Sequence, residues 1–268
     1  MKKKKIVAII LSVVLFLAIA VLGAANVYRI DSVSLLSSTI SEQAKEEAEQ
    51  LEDKLNDVYV GGNTLFVDRE AADIVLEDFP YFRIVSFKKE LPNHLVIEVK
   101  EDEEMFAVAL NDAKTDFAVL GVDGVYLGRR STTENRIGEY HNILVTGLSF
   151  DGDLGKVVSG NVLADGFVKI IKSMAAAEGM NGSLRGNVLS MDVSVPAPSD
   201  NPIDRETLLT ILMREGLVVK VKDFEVNSVR KAQKLMQVYF DLPDNEKLTG
   251  TLTILEGVDG RILANYEA

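Results

Sequence analysis

Residues 68–101 read DREAADIVLEDFPYFRIVSFKKELPNHLVIEVKE, and within them the hydrophobic period changes from 3.6 to 2. Asp68 is a helix N-cap type, its carboxylate suited to exposed amide donors. Ala72, Val75, Leu76 and Phe79 then fall on one helical face, and Pro80 ends the run because it cannot continue the hydrogen-bond ladder. From Tyr81, Phe82, Ile84 and Ser86 alternate with Arg83, Val85 and Phe87. After the turn Glu90-Leu91-Pro92-Asn93, Leu95, Ile97 and Val99 oppose Val96, Glu98 and Lys100. That is a helix followed by a β-hairpin.

Upstream, Ala44, Ala48, Leu51 and Leu55 stand at i, i+4, i+7 and i+11, one apolar face of a second helix. Thr39-Ile40-Ser41-Glu42 fits a capping box led by Thr39. Tyr28 to Leu36 reads as a strand, with Ile30, Val33 and Leu35 apolar, and Gly61-Gly62-Asn63 as a turn. The order is strand, helix, helix, strand, strand, and two helices on one face of a small sheet form a complete packing unit.

Beyond Met105 strands and turns dominate: Phe117 to Leu120, the Asp123-Gly124 turn, Val125 to Leu127, and Ile143 to Thr146. A helix is expected from Asn161 to Ala177, with Leu163, Phe167, Ile170, Ile171 and Met174 facing the core. Strands are expected at Val188 to Val195 and Leu217 to Val221, a helix at Ser228 to Phe240, and strands at Leu248 to Leu255 and Arg261 to Tyr266. The proline-rich segment Pro196 to Asp204 reads as an exposed loop. The fold class expected is α+β: a single N-terminal transmembrane helix, a β-α-α-β-β domain, then a mostly antiparallel β domain with two or more flanking helices.

The transmembrane helix is read from Lys2 to Lys5 followed by an apolar stretch from Ile6 to Ala25, broken only by Ser12 and Gly23. Twenty residues at 1.5 Å each give roughly 30 Å, the hydrocarbon thickness. The lysines stay cytoplasmic by the positive-inside rule. A cleaved signal peptide ending at Gly23-Ala24-Ala25 is the rival, although its apolar cores usually run only about 7–15 residues. Both readings export the remainder. The boundaries are a cytoplasmic tail at 1–5, the span at 6–27, a first domain at 28–102 and a second at 103–268.

The 268-residue chain carries 29 basic and 41 acidic residues, net -12; without the four N-terminal lysines, 25 basic stand against 41 acidic, about -16. Such an acidic chain repels nucleic acid and anionic lipid. With no cysteine, disulfides, thiol catalysis and cysteine–zinc sites are excluded.

Catalytic constellations are hard to assemble from two histidines. His94 enters a strand from a turn, where a polar residue is ordinary. His141, in Glu139-Tyr140-His141-Asn142, has a carboxylate nearby, which is everyday loop composition. Asp151-Gly152-Asp153 lacks the further oxygen ligands of a calcium loop at Gly155 and Val162. Gly155-Lys156 and the glycines at 179, 182 and 186 match neither phosphate-loop nor dinucleotide spacing. Glu101-Asp102-Glu103-Glu104 reads as a solvated strand end or an interdomain joint. No cofactor, metal or small-molecule substrate is expected.

The segment from Gly62 to Tyr126 resembles the FtsQ/DivIB family of bacterial division proteins, whose first extracytoplasmic module is a POTRA domain. The resemblance is carried by Gly62-Asn63-Thr64-Leu65-Phe66, by Phe79-Pro80-Tyr81-Phe82, by the strand Leu91 to Glu101, and by Val122-Asp123-Gly124-Val125-Tyr126. It covers about a third of the chain, and Asp102-Glu103-Glu104-Met105 departs from the basic-residue-then-proline joint usual in the family. It implies a non-enzymatic scaffold of the division machinery that regulates septal peptidoglycan synthesis. Such a protein sits at the cell membrane of the division septum with its C-terminus outside. The partners implied are FtsL-like and FtsB/DivIC-like single-pass proteins and the septal wall synthase. In the family the last strands of the β domain accept an added strand. Here that maps onto Leu248, Thr249, Gly250, Thr251, Leu252, Thr253 and Ile254, with Gly250 leaving room for another backbone; an ordinary interior strand with a bulge at Gly250 is the other reading. The alternative function is an exported membrane-anchored enzyme or substrate-binding protein with a POTRA-like module, signalled by a deep pocket around His141 or the acidic joint.

Overall fold

The computed structural model describes residues 11–16, 23, 26–137, 140–177, 180, 184–196 and 206–268. The chain divides into two compact units, Met1–Glu101 and Asp102–Ala268.

In the first unit the order is β1 (Ser32–Ser38), α1 (Glu42–Tyr59), α2 (Glu70–Leu76), β2 (Phe82–Glu90) and β3 (His94–Glu101). The sheet order is β1-β3-β2, with β1 parallel and β2 antiparallel to β3. Ala44, Ala48, Leu51, Leu55 and Tyr59 form the buried face of α1 and meet Val33, Leu95, Ile97 and Val99 in the core. The N-cap of α1 is Ser41, two residues after the expected Thr39; its hydroxyl accepts the Ala44 amide at 3.1 Å. The N-cap of α2 is Arg69, one residue after the expected Asp68, whose carboxylate accepts the Glu70 amide at 3.1 Å.

The second unit is a nine-stranded sheet. Its strands are β4 (Glu104–Ala109), β5 (Phe117–Gly121), β6 (Tyr126–Arg130), β7 (Ile143–Thr146), β8 (Val188–Ser194), β9 (Leu208–Met213), β10 (Val218–Lys222), β11 (Thr251–Glu256) and β12 (Ile262–Glu267). They lie in the order β12-β11-β10-β9-β8-β7-β4-β5-β6. Helix α3 (Val162–Ala175) joins β7 to β8, α4 (Ser228–Asp241) leads from β10 towards β11, and the single-turn α5 (Asp244–Lys247) follows it.

The structure departs from the expected fold in two respects. The β domain is mixed, not mostly antiparallel: β4–β7, β7–β8 and β10–β11 are parallel. For β7–β8 and β10–β11 the cause is the intervening helix, because a strand–helix–strand crossover returns the chain in its original direction, whereas β7 meets β4 after the β5–β6 hairpin. Both crossovers step the same way across the sheet from strands of the same sense, so right-handedness puts α3 and α4 on one face, and they pack together there. The expected single transmembrane helix is also not found: among the described residues no helix is long and apolar enough to cross a membrane. Within 6–27 the described helical residues are 11–16, 23, 26 and 27. The rest of that expected span, and Lys2 to Lys5, lie outside the described residues, as does most of the expected loop Pro196 to Asp204.

Candidate functional site

Three places gather polar or unpaired groups, and the first is the end of the nine-stranded sheet. The expected partner strand lies inside it. β11 pairs with β10 through Val218↔Thr251 to Val221↔Ile254, and with β12 through Thr251↔Glu267 to Glu256↔Ile262. Leu252 and Ile254 are fully buried and Thr251 and Thr253 half-buried, while Leu248 and Thr249 are exposed ahead of the strand. Gly250 does admit a close backbone, but the backbone is this chain's own: its φ is +94°, and a β-carbon there would stand 2.6 Å from the Glu267 carbonyl oxygen. None of Leu248 to Ile254 therefore lies on the free edge. That edge is β12, which has one neighbour only.

Several contacts fix β12 in this position. The Tyr266 hydroxyl lies 3.2 Å from the carbonyls of both Glu246 and Thr249. Helix α4 packs against β11 and β12. The helix is pinned at its start by the buried Lys231, whose Nζ donates to the carbonyls of Lys222 at 2.8 Å and Asp223 at 2.7 Å. Burial holds the Lys231 ammonium below the usual lysine range, against the pull of Asp223 and the nearby glutamates. Near its end, Tyr239 donates to Glu215 Oε2 at 3.2 Å, and burial, then that carboxylate, pushes the phenol up to about 12. Leu263, Asn265 and Glu267 are the exposed alternates of β12. Only one of them is charged, whereas edges that avoid pairing usually carry several charges or a proline.

The second place is the acidic run 101–104, which is not a solvated end. Glu101 is buried at the end of β3; one carboxylate oxygen accepts the amides of Ile40 and Ser41 (3.0 Å for Ser41) and the other the Ser41 hydroxyl at 2.7 Å. Glu104 is buried at the start of β4. Its Oε1 accepts Arg130 Nε at 3.0 Å and an Arg130 terminal nitrogen at 2.7 Å, and its Oε2 accepts the Arg136 amide at 2.8 Å and Asn142 Nδ2 at 3.2 Å. Both carboxylates hold structure together.

The third place is a cavity of about 860 Å³ beside His141. Arg185, only 8 % exposed, donates to Glu103 Oε1 at 2.8 Å and to the Glu104 carbonyl, and its guanidinium lies 5.8 Å from the Tyr140 ring centre. Arg214 Nε donates to the Arg185 carbonyl at 2.7 Å. His141 Nδ1 is 3.1 Å from the Thr133 hydroxyl. His141 stands out in the sequence as one of two histidines, but Arg185 and Arg214 carry no local signal: each is a lone arginine near a turn, and only the pairing of β8 with β9 brings them together. His94, by contrast, is 2.8 Å from the Ser32 hydroxyl across the β1–β3 pair. Among the described residues no group of three or more histidines and acids could hold a metal, and Asp151 forms a β-bridge with Ser159.

The chain matches no known protein-family model, and no curated protein matches it.

Proposed function

We propose that this protein is a non-enzymatic scaffold of the division machinery that regulates septal peptidoglycan synthesis from the outer side of the cell membrane. In this reading it binds FtsL-like and FtsB/DivIC-like partners by strand addition. The observation that carries it is the unpaired edge of β12. An edge strand offers a row of amides and carbonyls to an incoming strand, whose alternate side chains then give selectivity. The assigned contact moves from Leu248–Ile254 to the next strand, with β11 as the support behind it. The resemblance of Gly62 to Tyr126 to FtsQ/DivIB supplies the partner class, and the acidic surface favours a protein partner over nucleic acid or anionic lipid.

The test is co-purification of the full chain with an FtsL–DivIC-type coiled coil after the double substitution Leu263→Lys, Asn265→Lys. Lysines on an edge disfavour strand addition while leaving the folded pairing with β11 in place. Binding should be lost, while a control substitution on the opposite edge, Arg129→Ala, should leave it unchanged. Wild-type binding by the lysine variant rules the β12 edge out.

The second reading, an exported enzyme or substrate-binding protein, is favoured by the cavity beside His141. Its lining, two arginines, Leu189 and Tyr140 beside His141, is suited to holding a ligand.

A further inference from the structure

The cavity beside His141 has a polarity opposite to the chain that contains it. At about 860 Å³ it falls within the roughly 300–1,000 Å³ that small ligands occupy. In a protein of net charge -12, two of its lining residues are arginines. Arg185 is committed to the wall: nine-tenths buried, it is held by Glu103 and the Glu104 carbonyl, and its Nε has no hydrogen-bond partner. Arg214 is not spent in the same way. Only its Nε is used, on the Arg185 carbonyl, and among the described residues its two terminal nitrogens have no partner. One bond at Nε fixes the plane of the guanidinium and leaves the fork free, the geometry that takes a carboxylate with two parallel hydrogen bonds.

The remaining walls say what the carboxylate would be attached to. Leu189 is 47 % exposed and Tyr140 54 % exposed, both on the lining. The Tyr140 hydroxyl carries no hydrogen bond among the described residues. An aliphatic side chain and an aromatic face on a pocket rim favour an apolar body. Glu103, 43 % exposed in its side chain, puts a negative charge on the same wall. That charge is paired with Arg185, which leaves Arg214, among the described residues, as the one uncompensated guanidinium on the lining, a match for a singly charged ligand.

We propose that this cavity is a binding site for a small monoanion, a carboxylate carried on an apolar body: the charge sits on the free fork of Arg214 and the body against Leu189 and Tyr140. The site is independent of the β12 edge, and either can fail without the other.

The experiment is a titration of the purified full chain with N-acetyl-L-leucine, followed by ligand-observed NMR. Three comparison probes are N-acetyl-L-leucinamide (same body, no charge), acetate (charge, no body) and inorganic phosphate. Saturable millimolar binding of N-acetyl-L-leucine is expected, with each comparison probe at least about tenfold weaker: the amide lacks the charge-assisted pair, and acetate and phosphate lack the apolar body. Arg214→Met should abolish binding and Arg214→Lys retain part of it, since a point charge replaces the fork. A thermal melt checks that each variant folds. Should Arg214→Met fail that check, Tyr140→Ala, at an exposed ring, takes its place and should weaken binding several-fold. The proposal is overturned by equal binding of the amide, of acetate or of phosphate. It is overturned equally by the absence of saturable binding or by wild-type affinity in the folded variant.

Discussion

The backbone of Gly250 lies against the carbonyl oxygen of Glu267, close enough that a β-carbon on Gly250 would stand 2.6 Å from it. A side chain cannot occupy that space without moving β12. The positive φ adds a second cost, since L-residues rarely adopt it. Gly250→Ala should therefore destabilise the second unit by about 2–3 kcal/mol, combining a strained backbone with a steric clash. Urea denaturation measures this, and a change within error of zero would mean that β12 does not pack as described.

Glu101 should matter to the first unit. Its buried carboxylate accepts three hydrogen bonds from Ile40 and Ser41, just ahead of α1. Glu101→Gln turns one acceptor oxygen into a donor facing donors, at a cost of about 1–3 kcal/mol. Hydrogen exchange should quicken at the amides of Ile40 to Lys45 before it does so in β8 or β9.

Glu104→Gln should be the more damaging of the two. The carboxylate side chain is 2 % exposed and accepts four hydrogen bonds, two of them from Arg130, and losing its charge should cost about 2–4 kcal/mol, less than for a fully buried pair because Arg130 is 29 % exposed. The loss should show as a lower denaturation midpoint of the second unit. A loss below about 1 kcal/mol would place Glu104 among ordinary surface ion pairs.

Alkaline stability should depend on Tyr239. Its folded value of about 12 stands above the ordinary tyrosine value of about 10, so between these the folded chain keeps a proton that the unfolded chain has lost. The contribution is complete below pH 10 and declines as the pH rises to about 12, at up to ~1.4 kcal/mol per pH unit. Tyr239→Phe has no proton to keep. Other lysines and tyrosines titrate in both proteins, so the difference between their denaturation midpoints from pH 9 to 11.5 isolates this residue. Parallel curves would remove the assignment.

Local periodicity in the sequence reached the elements and stopped short of their partners. Ala44, Ala48, Leu51 and Leu55 were read as one face, and all four are buried together; Phe167, Ile170, Ile171 and Met174 likewise. The strand β9 was not read, because LLTILM has no visible alternation, although its burial alternates strictly. Whether a strand is paired on one side or two depends on residues far away, so Leu248 to Ile254 carried no mark of being interior. Glu101 and Glu104 looked solvated for the same reason: their donors come from residues 40–41, 130, 136 and 142. Tyr140 and His141 were legible as a polar loop, but Arg185 and Arg214 join them only through the tertiary fold.

The shortest strand of the large sheet, β7, has a consequence for how the sheet assembles. On one side of it β4, β5 and β6 form an antiparallel meander, and on the other β8, β9 and β10 form another. Each joins strands that are consecutive in the chain. Their union rests on three paired positions to either side of β7, and those pairs join Phe106 to Ile143 and Leu144 to Ser190, far apart in the chain. Distant pairings carry the loop-closure cost that slows folding, so β7 is a late-setting seam between two halves that form on their own clocks. Pulse-labelled hydrogen exchange during refolding would read this directly, as protection of Leu144 and Val145 that lags behind protection in β5 and β9.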